Sequence, residues 1–201
     1  MRFSKIISII FHPIFIPLLI FYLTINYINL LQTTIVHNLS LIYIIILVFT
    51  IILPLASTYI LVFFNKISSL EIHQKDERFK PLIISAIWGV IGFFYLSPFL
   101  IFNPILKTFY LSFLFLISLA SLISIFWKIS LHMIGMGAAT GFFIVLNILY
   151  KDATFLIVAF FLLSGLVGFA RLKEGAHSKK EVYTGFILGC LLELLLFFDL
   201  L

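Results

Sequence analysis

Along the chain, apolar residues do not alternate with polar ones. They run together in blocks of helix length, separated by short clusters of charge, Asn or Pro. A helix rises 1.5 Å per residue, so roughly 20 apolar residues cover the hydrocarbon core of a bilayer. Seven blocks of this kind predict seven spans, near Ile6–Ile28, Leu41–Phe64, Pro81–Phe102, Phe109–Phe126, Met133–Leu149, Thr154–Ala170 and Val182–Leu201. The fourth and sixth are short, so six spans with one re-entrant piece is the alternative count. None shows the period-two alternation of a membrane barrel strand. The expected fold is all-α: a polytopic membrane helical bundle forming a single integral membrane domain over residues 1–201. Pro13 and Pro17 interrupt the first block and Pro54 and Pro98 later ones, so buried neighbours must satisfy the carbonyls they free. The pairs Gly137–Gly141, Ser164–Gly168 and Gly185–Gly189 suit close approach of helices in lipid. Arg2 and Lys5 precede an apolar stretch too long for a signal peptide, with no small-x-small cleavage site after it, so the first block is expected to be retained.

Composition agrees with this reading and narrows it. Of 201 residues, 63% are hydrophobic and 10% charged, with a mean hydropathy of +1.26. That excludes a soluble monomer and intrinsic disorder alike. The single cysteine, Cys190, excludes a disulfide framework and a cysteine-based zinc site. With seven spans, the N-terminus shares a face with the loops after spans two, four and six. Eleven of the 13 Lys and Arg lie on that face, leaving Lys107 and Lys151 opposite. The positive-inside rule makes the rich face cytoplasmic, and the expected location is a bacterial inner membrane. The expected partners are the bilayer and a membrane lipid. No nucleic acid, cofactor or metal is expected.

Three polar clusters occupy this one face: Glu71–Pro81, Trp127–Gly137 and Arg171–Gly185. Each intervening hairpin returns the chain to the same side, so the three are expected to converge on one pocket. Arg171, Arg78, Lys80, Lys75 and Lys128 would give it a positive field, screened in part by Asp76, Glu77, Glu174 and Glu181. Such a field favours a dense anion such as a phosphoryl group. His132 and His177 would add imidazole chemistry near neutral pH. His177 and Glu181 are four apart, on one helix face, so the carboxylate can hold the ring and set its tautomer.

Simpler roles compete for several of these residues. The positive-inside rule alone accounts equally well for Lys66, Lys173, Lys179 and Lys180. A histidine at a span entry, as His132 is, is often just hydrogen-bonded or snorkelling, and His12 is expected to bond a carbonyl freed by Pro13. Glu193 lies well inside the last block, where a carboxylate should face the bundle interior and is a functional candidate by default.

In order, these clusters resemble the signatures of the type 2 phosphatidic acid phosphatase (PAP2) superfamily, which includes the vanadium haloperoxidases. Those signatures are Lys, six residues, Arg-Pro; then Ser-Gly-His; then Arg, five residues, His, three residues, Asp. Here the third reads Arg171, His177 and Glu181 at the same spacing, with Glu for Asp. The second reads Ser130-Leu131-His132, with Leu for Gly. The first is met by Lys80-Pro81 with His73 at the upstream position, and Arg78 and Lys75 stand nearby in a shifted register. The motifs fall within residues 71–185.

The resemblance implies metal-independent hydrolysis of a lipid phosphate or isoprenoid pyrophosphate through a phosphohistidine. It casts His177 as nucleophile, Glu181 as its orienting group and His132 as general acid. Arg171, Lys80, Arg78, Lys75 and Ser130 become phosphate ligands. His73, Lys128 and Glu193 are candidate accessory residues, and no family motif covers Glu193. Two other functions fit the same residues. One is a catalytically inactive relative that binds lipid or a partner, motivated by Leu131 and Glu181. The other is a small proton-coupled transporter using Glu193 and the histidines.

Overall fold

A computed structural model describes residues 2–27, 38–70, 72 and 74–198. Among them every regular element is helical. The helices are α1 (Arg2–Ile10), α2 (Ile16–Tyr27), α3 (Leu39–Phe63), α4 (Phe79–Leu96), α5 (Pro104–Phe126), α6 (Leu131–Tyr150), α7 (Thr154–Lys173) and α8 (Lys179–Leu196). Six stretches are long and apolar enough to cross a membrane, the first being α1 and α2 together. Their outward side chains are large and apolar, Phe63, Phe94 and Phe126 among them, each at least 70% exposed. Exposed apolar surface on that scale requires an apolar solvent. This is an integral membrane protein.

The span boundaries differ from the expected ones for a physical reason. A charge ends an apolar run but does not end a helix. Helix α5 starts at Pro104 rather than Phe109 because Asn103 caps it, its side chain accepting the Leu106 N–H at 3.1 Å, and Pro suits the first helical position. Helix α7 runs on to Lys173, with Arg171 and Lys173 in its last turn where cations complement the exposed carbonyls. Both expected short spans are therefore full length. The helix that falls outside the six is α8, which carries Lys179, Lys180 and Glu181 in its first turn and Glu193 further on.

The chain packs as two compact units, one of residues 38–128 and one of residues 2–27 with 129–198. In the first, prolines and glycines shape the helices. Pro54 has no N–H to give, and α3 passes through a π-helical stretch at Leu47–Ile52 just before it, where the Leu53 N–H reaches back to the Val48 carbonyl. Trp88 on α4 donates to the Ser57 hydroxyl on α3 at 2.8 Å, and Tyr110 on α5 donates to the Gly89 carbonyl at 3.1 Å.

In the second unit α6 is central, the most buried of the six spans. It meets α8 backbone to backbone. A methyl group on Gly137 would strike the Phe186 carbonyl, and one on Gly189 the Ile134 carbonyl. One on Gly141 would sit 2.6 Å from the Cys190 oxygen, and one on Gly185 2.9 Å from the Ser130 oxygen. Two of the three expected small-residue pairs, Gly137–Gly141 and Gly185–Gly189, thus make this backbone-to-backbone seam, while Gly168 of the third, on α7, meets the side chains of Val182 and Met133. A turn closed by Asn147, whose side chain accepts from Ala153 N–H and Thr154 Oγ1, returns the chain into α7. Gly175, at φ +64°, ends α7, and a Ser178–Glu181 capping box opens α8.

Candidate functional site

With α7 antiparallel to the mutually parallel α6 and α8, three helix ends come together: the starts of α6 and α8 and the finish of α7. The Ser130 N–H bonds the Glu181 carbonyl at 3.4 Å, tying the first of these ends to the second. Ser130, His132, Arg171, His177 and Glu181 all belong to this unit. The second and third polar clusters of the sequence therefore meet.

His177 is buried, its side chain only 2% exposed. Its Nδ1 lies 3.1 Å from Glu181 Oε2. A carboxylate oxygen accepts, so Nδ1 carries the proton and Nε2 keeps the lone pair in the neutral ring. The same Oε2 accepts the Ser178 N–H at 2.9 Å, completing the capping box. Glu181 thus orients an imidazole and starts a helix with one oxygen.

Arg171 donates from Nη1 to Glu174 Oε2 at 2.8 Å, with side-chain exposures of 15% and 21%. Glu174 also receives the Ser8 hydroxyl, at 3.0 Å from Oε1 and 3.2 Å from Oε2. On the other side of Ser8, its main-chain carbonyl lies 2.9 Å from His132 Nε2. A carbonyl can only accept, so His132 carries its proton on Nε2. Arg171 and His177 both lie within electrostatic reach of the His132 ring.

The proline in the first span explains why that carbonyl is available. Helix α1 stops at Ile10, and a 3₁₀ turn at Pro13–Phe15 leads into α2. At the break the His12 N–H bonds the Ile9 carbonyl instead of that of Ser8, and His132 takes the vacated acceptor. His12 was expected in that role. It does something else: its Nδ1 accepts the Ile14 N–H at 3.3 Å, capping the 3₁₀ turn. Its ring stands edge-on to His132, centroids 5.3 Å apart.

Ser130 is completely buried, and its hydroxyl has no hydrogen-bond partner among the described residues. Glu193 is likewise completely buried, on the α8 face that meets Gly141. Among the described residues no three His, Cys, Asp or Glu side chains group as a metal cluster.

The remaining cations of the sequence reading, Lys75, Arg78, Lys80 and Lys128, belong to the other unit. There Lys75 pairs at 3.9 Å with Asp76 at the surface, and Lys80 is exposed in the first turn of α4. Arg78 is buried and donates from Nε to the Ile72 carbonyl at 3.3 Å. His73 lies outside the described residues.

Sequence reasoning missed Ser8, a small polar residue in an apolar run. Its signal was positional: it stands five residues before Pro13, where a helix break frees a carbonyl. No family model, no curated protein and no solved structure matches the chain.

Proposed function

We propose that this is an integral membrane phosphatase acting on a lipid phosphate or isoprenoid pyrophosphate through a phosphohistidine. The observation that carries the reading is the His177–Glu181 pair, a buried imidazole whose Nδ1 is held by a carboxylate at 3.1 Å. Holding one nitrogen leaves the other as a nucleophile, the logic shared by oriented catalytic imidazoles. Arg171 and Ser130 supply anion-binding groups at the same helix ends, and the orphaned Ser130 hydroxyl is a donor suited to a phosphoryl oxygen. The order and spacing of the motifs shared with the type 2 phosphatidic acid phosphatases add their weight.

In this reading His177 Nε2 bonds to phosphorus as the bond to the lipid oxygen breaks. His132 relays to that oxygen the proton that the substrate's phosphate monoanion carries in, a contribution of roughly 10²–10⁴ in rate. Water then attacks the phosphohistidine, returns a proton to His132 and releases inorganic phosphate. Arg171 stabilises the charge that builds on the phosphoryl oxygens. The site faces the cytoplasm of a bacterial cell, on the distribution of cations.

The test is phosphate release from phosphatidate or an isoprenoid pyrophosphate by purified protein in detergent, with chelator present. Release by the native chain that is lost in His177→Ala supports the reading. Equal release by both overturns it.

One observation favours a second reading, a silent relative that only binds a phosphorylated lipid. Glu181 also closes the capping box, a structural duty it would perform without any catalysis. That reading predicts binding without turnover.

A further inference from the structure

The motifs that suggest a phosphatase all lie beyond residue 70, yet the residue that links two of their side chains lies in the first helix. Ser8 uses its two polar ends in different directions. Its carbonyl receives His132 Nε2–H at 2.9 Å, and its hydroxyl donates to Glu174, the carboxylate that holds Arg171 at 2.8 Å. Ser8 is buried, at 6% exposure, and its bond from His132 forms where water competes little, while its bond to Glu174 is part-buried. The carbonyl is available only because the helix breaks ahead of Pro13 and the His12 N–H turns to Ile9.

We infer that Ser8 is a positioning residue of the proposed site: its carbonyl sets the tautomer of His132, and its hydroxyl steadies Glu174 so that Arg171 presents its guanidinium to the anion. This rests on the phosphatase reading and deepens it. With Nε2–H committed to the main chain, Nδ1 is the nitrogen that takes up the proton carried in by the substrate's phosphate monoanion, passes it to the departing oxygen and later takes one from water, which leaves with the released phosphate. The neutral ring left behind is then the tautomer the carbonyl already selects, so the proton transfer needs no ring flip. On the other arm a guanidinium has five N–H donors in a fixed fork. Nη1 is held by Glu174, and holding that edge still fixes the plane of the group.

The two arms separate experimentally. Ser8→Ala deletes the hydroxyl and keeps the carbonyl. It raises KM for a soluble short-chain phosphatidate about fivefold, the worth of one hydrogen bond, and leaves kcat within twofold. Ser8→Thr restores KM. Pro13→Ala returns an N–H to position 13 and lets the helix run on, so that His12 N–H reclaims the Ser8 carbonyl. It lowers kcat on the order of 10²-fold, the low end of a general acid's contribution, with little change in KM.

The readout independent of turnover is ¹⁵N NMR of histidine-labelled protein, with His132 assigned from the His132→Asn spectrum. The native chain and Ser8→Ala show the Nε2–H tautomer at position 132, and Pro13→Ala loses it. Should Pro13→Ala fail to fold in detergent, the native spectrum and the Ser8→Ala kinetics decide. An Nδ1–H tautomer in the native chain, or native KM in Ser8→Ala, overturns the inference. A merely structural Ser8 would lower thermal stability and leave both kinetic constants per folded molecule unchanged. If the native chain releases no phosphate but shows the Nε2–H tautomer that Pro13→Ala loses, the phosphatase reading fails and the tautomer arm stands.

Discussion

His177 and Glu181 are joined by a 3.1 Å bond from Nδ1 to Oε2, and that oxygen is also the one that closes the capping box on the Ser178 N–H. The chemistry and the helix start therefore share an atom, and substitutions can separate them. Ser178→Ala removes the hydroxyl that accepts the Glu181 N–H and leaves the imidazole bond in place. It costs about 1 kcal/mol of stability and leaves turnover near native. Glu181→Gln replaces the charged acceptor and keeps the shape. It lowers turnover roughly 10–100-fold, the usual cost of losing the group that orients a functional histidine, with a smaller loss of stability. Thermal unfolding and phosphate release, measured on the same preparations, check both.

The seam between α6 and α8 predicts a sharp positional contrast among glycines. Gly137→Ala and Gly189→Ala drive a methyl group into the opposite main chain, where no side chain can swing aside. Each destabilises the protein by about 1–3 kcal/mol, the range for overpacking a close contact. Among the described residues, nothing beyond its own stretch of helix stands within 4 Å of where a Gly165 Cβ would lie. Gly165→Ala is therefore neutral or stabilising, by up to about 1 kcal/mol from helix propensity. Unfolding midpoints in a fixed detergent compare the three.

Glu193 separates hydrolysis from proton-coupled transport. It is buried on the α8 face that meets Gly141, farther along α8 from Glu181. The proposed hydrolysis at the helix ends does not call on it, so Glu193→Gln is expected to keep phosphate release within about twofold, well inside the tenfold that 1.4 kcal/mol would produce. A transporter would lose substrate flux in Glu193→Gln and keep it in His177→Ala. Flux and phosphate release in proteoliposomes are the paired measurements.

The position of the C-terminus tests whether α8 crosses the bilayer. Its 18 residues make a helix about 27 Å long at 1.5 Å each, close to the roughly 30 Å of a hydrocarbon core. With seven crossings and the N-terminus inside, a reporter fused after Leu201 is active outside the cell. Activity only in the cytoplasm would make α8 a helix that packs on α6 without crossing.

Much of this architecture was legible because it depends on properties each residue carries by itself. Apolar runs of helix length mark the spans, and glycines four apart mark the α6–α8 seam. The return of alternate loops to one face brings His132, Arg171 and His177 to neighbouring helix ends. What could not be read depends on who takes a hydrogen bond that someone else gives up. Pro13 announces a freed carbonyl, but not that the carbonyl is Ser8's or that His132, 124 positions away, collects it. Charge misled in a different way. Lys107 and Arg171 end hydrophobic runs, and the helices pass straight through both positions because capping and the helix dipole decide where a helix stops.

The central claim is a covalent one, and trapping the intermediate tests it most directly. Purified protein turning over ³²P-labelled phosphatidate in the presence of chelator, quenched in alkali, should hold label that survives base, is released by mild acid and maps to the peptide containing His177. His177→Ala should hold none. Phosphate release with no labelled protein, or label that persists in His177→Ala, would contradict the account.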